Sequence, residues 1–183
     1  MVKDGNGAWE WIESGGGPLI VVPEQFLTSW QGCDFESTTG DDDYSRACEV
    51  EGHLGVIPVG RAEALVLGEP LSTTYVPEHG CFVRWIGADS EDALLDGVEQ
   101  ALEAASWEAE VVWEVPGPVV LLDSGWPGVP GPNAEFDDLG RLRIDLEAGR
   151  YLVRAAYAKP APRTTMVLVG LTRISPDGLG MTE

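Results

Sequence analysis

The sequence predicts an α+β fold made mostly of antiparallel β-sheet, and three observations carry that expectation. Short β-prone runs recur along the chain, separated by Gly and Pro. One stretch, about 89–105, has the apolar period of a long amphipathic helix, and a shorter one, about 23–31, fits a second helix. The 183 residues, 44% hydrophobic and 23% charged, supply enough apolar side chain for one sizeable core. Residues 1–183 are therefore expected to form a single domain, with a second β lobe from about 116 as the variant of that reading.

Taken in order, Ala8–Glu13 alternates by twos and Pro18–Val22 is a compact apolar run beyond the turn Ser14-Gly15-Gly16-Gly17, so the two predict a hairpin. Pro23 suits the first turn of a helix, Phe26, Leu27 and Trp30 share one face, and Gly32 ends it. A short helix is predicted within 41–50. Four runs, 55–59, 63–67, 73–76 and 81–86, predict an antiparallel meander. In the long helix Asp89 is placed to cap the N-terminus, with Asp92 three residues on. Leu94, Val98, Ala101, Leu102 and Ala105 form its buried stripe, and Glu91, Asp92, Asp96, Glu99 and Glu103 face outward. Strands follow at 107–115 and 118–122. A loop too rich in Gly and Pro for regular structure, 123–133, precedes the last strands at 139–146, 150–158 and 164–174.

Eleven Lys and Arg against 31 Asp and Glu leave a formal charge of −20, which argues against a nucleic-acid or anionic-membrane partner and for a cationic one. The acidity is uneven: residues 1–138 carry 27 acids and 4 bases, residues 139–183 carry 4 and 7. No apolar run approaches the roughly 18 residues of a membrane span, and the N-terminal residues lack the apolar stretch of a signal peptide. A cytoplasmic location is expected. Cys33, Cys48 and Cys81 are odd in number and form no CxxC pair, so reduced, buried thiols are the simplest reading.

No enzyme motif has its required context. The glycines at 15–17 lead into a strand, whereas a phosphate cradle opens onto a helix N-terminus. His53 and His79 with Cys48 and Cys81 do not have a standard zinc spacing, and Asp41, Asp42 and Asp43 lack the alternation of a calcium loop, so no metal or other cofactor is expected. Of seven tryptophans, Trp126 alone lies among Gly and Pro, where it is either a loop anchor folded onto the core or an interface residue.

Several strings nevertheless resemble one family. Trp11-Ile12-Glu13-Ser14-Gly15-Gly16-Gly17-Pro18-Leu19-Ile20-Val21-Val22-Pro23, Asp43-Tyr44-Ser45-Arg46-Ala47-Cys48, Ala64–Tyr75 with Pro77-Glu78-His79, and Phe82-Val83-Arg84-Trp85 are similar to immunity protein 21 of bacterial polymorphic-toxin systems. The likeness continues through Val119–Ser124 and Ala148–Tyr151, covering almost the whole chain in order. It implies a small α+β protein with no catalytic residues that binds a cognate toxin and neutralises it. A toxin that attacks nucleic acid is commonly basic, matching the charge of this chain. The candidate contact residues are Asp41, Asp42, Asp43, Glu91, Asp92, Asp96, Glu99, Glu103 and Trp126. The competing reading is a carbohydrate-binding or glycosidase-like domain that uses a Trp-rich surface and paired carboxylates. Neither reading sets an oligomeric state.

Overall fold

The apolar runs Leu19–Val22, Ala64–Leu67 and Val119–Leu122 have no polar face to turn toward water, and each is a strand buried on both sides. The structure, a computed structural model, describes residues 9–34, 41–130 and 140–175. Its strands are β1 (Leu19–Pro23), β2 (Leu54–Val59), β3 (Ala62–Leu67), β4 (Thr73–Val76), β5 (Cys81–Gly87), β6 (Ala109–Val115), β7 (Val119–Asp123), β8 (Leu142–Ile144), β9 (Gly149–Ala161) and β10 (Thr164–Ile174). The α-helices are α1 (Asp43–Cys48), α2 (Glu91–Leu95) and α3 (Val98–Glu103). Two five-stranded sheets result, in the orders β2-β3-β1-β7-β8 and β4-β5-β10-β9-β6. Every neighbouring pair is antiparallel. The predicted α+β class, rich in antiparallel sheet, is what the structure shows.

The sheets face each other across the largest core, in which Leu19, Leu65 and Leu121 of the first meet Phe82, Trp113 and Val167 of the second. Both outer faces are also covered. Over the first sheet, Trp30, Ala47, Phe26 and Leu27 bury Ile20, Val66 and Leu122. Over the second, Leu94, Val98 and Ala101 bury Val83, Met166 and Leu168. The layers thus run helix, sheet, sheet, helix, and strands from both sides of residue 116 enter each sheet.

Several expectations change in detail. Residues 9–13 do not form a hairpin with β1: Ile12 bridges Thr73, and β1 pairs instead with β3 and β7. The four meander strands form two hairpins in different sheets, because the 68–72 connection carries the chain from one to the other. The 23–31 helix is a 3-10 helix, Glu24–Ser29, closed by the Trp30 N–H on the Leu27 carbonyl (3.1 Å). Gly32 follows at φ +71°, where a Cβ would come within 2.6 Å of the Gly125 carbonyl oxygen.

The long helix is present between Glu91 and Glu103 but is broken at Asp96–Gly97 into α2 and α3. Gly97 is a poor helix former, and a Cβ there would lie 2.9 Å from the Pro160 ring. The cap is Ser90, whose Oγ accepts from the Ala93 N–H (3.1 Å), while Asp89 is drawn away into an ion pair with Arg163. Of the expected stripe Leu94, Val98 and Ala101 are buried, whereas Leu102 is half-buried and Ala105, also half-buried, lies past the end of α3.

Candidate functional site

A buried carboxylate organises one corner of the molecule. Asp123, at the end of β7 and 5% exposed, accepts from the Gly15 N–H on Oδ2 (2.6 Å) and from the Gly125 N–H on Oδ1 (2.8 Å). Ser124 Oγ donates to the Pro18 carbonyl (2.6 Å), and Trp30 Nε1 donates to the Ser124 carbonyl (3.1 Å). The Ser14–Gly17 turn is thereby fixed to a strand end more than a hundred residues away. Tyr44 of α1 completes the corner: a Cβ on Gly17 would lie 2.6 Å from its ring, so a larger residue there would displace the end of the Tyr44 side chain.

Asp41, Asp42 and Asp43 meet this corner, and two of the three carboxylates are spent inside the fold. Asp42 caps α1, accepting from the Ser45 N–H (2.7 Å) and the Asp34 N–H (2.9 Å). Those bonds, Ser45 first, hold its carboxyl down at about 2. Asp43 accepts from the Gln31 N–H (2.7 Å) and pairs with Arg46 (2.6 Å). Asp41 is exposed. Trp126 belongs to the same region and is half-buried. Its loop is pinned by the Trp126 N–H on the Asp123 carbonyl (3.2 Å), the Gly128 N–H on the Trp30 carbonyl (2.8 Å), and Arg141 on the carbonyls of Pro127 (2.9 Å) and Gly128.

The helix acids lie on the opposite outer layer, with both sheets between. Asp92, Asp96, Glu99 and Glu103 are exposed, and none forms an ion pair with another described residue. Glu91 differs: it accepts from Trp11 Nε1 (2.6 Å), and Trp11 packs edge-on against Trp85 with ring centroids 5.4 Å apart. It anchors the helix to the N-terminal segment. Between α2 and the Pro77–His79 turn lies a groove of about 370 Å³, with Glu78, Asp92 and Asp96 around Val76 and Leu95. Trp9 lines it too, but packs against two core clusters rather than standing as an open sugar platform.

Sequence reasoning did not single out the buried Arg84 in β5. Its Nε meets Thr73 Oγ1 (3.3 Å), its Nη2 meets the carbonyls of Leu67 (3.3 Å) and Glu69, and its Nη1 has no hydrogen-bond partner among the described residues. Burial pulls its pKa to about 10, so it is a cation at neutral pH, stitching the β3–β4 connection to the second sheet. His53 stands 3.7 Å from Glu69 and 3.8 Å from Glu108. Cys81 is buried, Cys33 half-buried, and Cys48 exposed, contrary to the expectation that all three are buried. No group of three metal-ligating side chains gathers among the described residues.

Asp123 is the organising group that sequence reasoning missed. Its signal was an acid followed by Ser-Gly at the end of an apolar strand, a pattern indistinguishable from an ordinary turn until Gly15 is brought to it. No curated protein and no solved structure matches the chain. The family model described as immunity protein 21 matches residues 10–164, a span that includes the Gly15–Asp123 corner, strands β1 to β9 and the acidic helices, and ends at the first residue of β10. The chain belongs to the immunity protein 21 family.

Proposed function

We propose that this protein binds the toxin domain of its own polymorphic-toxin system in the cytoplasm and neutralises it by non-covalent occlusion, and that the toxin is basic, as a nuclease that engages phosphates would be. Family membership supports the immunity role. The observation that carries the finer reading is the outward face of α2–α3, where four exposed carboxylates have no cation to answer them among the described residues. A field of that sign steers a basic partner, raising association above the ordinary 10⁵ to 10⁶ M⁻¹s⁻¹ by roughly one to three decades at low salt. Occlusion then requires no catalytic group.

Co-expression of this chain with the toxin domain encoded beside it should rescue growth. Stopped-flow association at low salt should then slow by about tenfold for Asp96→Lys/Glu99→Lys/Glu103→Lys, with the melting temperature preserved because exposed charges cost little. The difference should shrink as salt rises and the Debye length falls from about 10 Å at 0.1 M to about 3 Å at 1 M. Unchanged association of a folded variant would remove the steering role from this face.

A further inference from the structure

Each sheet ends in two edge strands, whose outer N–H and C=O groups are a template for pairing with another chain. Three of the four are blunted. β2 carries Pro58, whose carbonyl accepts from Arg46 Nη2 (2.5 Å). β4 is crossed by the N-terminal segment, through two backbone bonds between Ile12 and Thr73 (2.8 and 3.0 Å) and one from Thr74 Oγ1 to the Glu10 carbonyl (2.7 Å). β8 is three residues long. Among the described residues β6 has none of these devices: it runs seven residues, contains no Pro, and has β9 as its single strand partner there.

The side chains of β6 say what such an edge would accept. Glu110, Val112 and Glu114 are exposed on its outer face, and Val112 is 42% exposed, unusual for a large apolar residue here. No residue of β6 lies in the cluster beneath α2–α3, so the helical layer does not cover it. A second copy of this chain fits badly. Antiparallel pairing centred on Val112 would set Glu110 of each copy against Glu114 of the other, two like-charge contacts. An extended segment with an apolar residue flanked two positions away on each side by Lys or Arg meets all three side chains favourably and continues the ladder.

We propose that β6 is the docking edge for such a basic extended segment of the cognate toxin, which adds to the second sheet as a sixth strand. The inference rests on the toxin-binding reading above and names where part of the contact lies. The probe is the toxin domain encoded beside this chain, bound to the 183-residue chain. Amides within 109–115 should gain protection from hydrogen exchange in the complex, and Glu110→Lys/Glu114→Lys should weaken binding by about tenfold or more. Because Arg154 and Arg150 stand opposite these positions on β9, Glu110→Gln/Glu114→Gln serves as the milder variant and should weaken binding in the same direction while melting like the parent. If the parent binds the toxin while a folded variant binds equally and 109–115 gains no protection, the edge proposal fails alone. If the parent binds no neighbouring toxin, the immunity reading fails and takes this proposal with it.

Discussion

Replacing Asp123 by Asn tests whether one carboxylate holds the corner where the glycine turn, α1 and the Trp126 loop meet. The substitution keeps the volume, so no cavity term enters. The carboxylate accepts two N–H bonds, one on each oxygen, at 2.6 and 2.8 Å. An Asn side chain has a single acceptor oxygen, so it can keep one of them at neutral strength and must set its NH₂ against the other donor. A hydrogen bond to a charged group contributes about 1.5 to 3 kcal/mol against about 1 for a neutral one, so losing one and weakening the other costs about 3 kcal/mol. In a chain of this size that corresponds to a melting temperature lower by roughly 6 to 12 °C. Urea unfolding at neutral pH gives the free energy, and amide exchange at Gly15 and Gly125 localises it. A loss below about 0.5 kcal/mol, with both amides exchanging as in the parent, would refute the reasoning. The bonds of Ser124 to Pro18 and of Trp30 to Ser124 would then suffice to hold the corner.

Two further outcomes follow from burial. Trp126 is half-buried on a loop whose backbone is held by other groups. Trp126→Ala should therefore cost about 1 to 2 kcal/mol of stability, less than the 3 to 5 of a fully buried aromatic, while toxin binding weakens by about thirtyfold or more. A large melting defect with unchanged affinity would make Trp126 a loop anchor only. Burial also pushes the Cys81 thiol up to about 12, from an ordinary value of 9. The neutral thiol is thus favoured in the fold, and its contribution is complete below pH 9 and lost as pH climbs from 9 toward 12. Stability of the parent should fall over that window more steeply than that of Cys81→Ala, by up to about 1.4 kcal/mol per pH unit. Parallel urea midpoints at pH 8, 9, 10 and 11 would contradict it.

Strand content, the positions of most elements and the acidic outer face of 91–103 were legible in the sequence, because alternation, Gly and Pro punctuation and helical period are local properties of the chain. Thr164–Ile174 coincides with its expected strand, and Leu94, Val98 and Ala101 are buried as their spacing requires. Partner choice among strands was not legible. A period-2 pattern says which residues share a face but not which strand lies alongside, so β1 could be expected to pair with residues 9–13 when β3 and β7 in fact flank it. The same limit governed the site. The Asp41–Asp43 and helix acids looked alike as unsatisfied charge, yet tertiary packing spends Asp42 and Asp43 on backbone N–H groups and spends Glu91 on Trp11, leaving Asp92, Asp96, Glu99 and Glu103 to the solvent. Asp123 acquires its role only when folding brings Gly15 across 108 positions of chain to its carboxylate. Charge, hydropathy and period are written residue by residue, whereas hydrogen-bond partnership and burial between distant segments exist only once loop closure has brought them together.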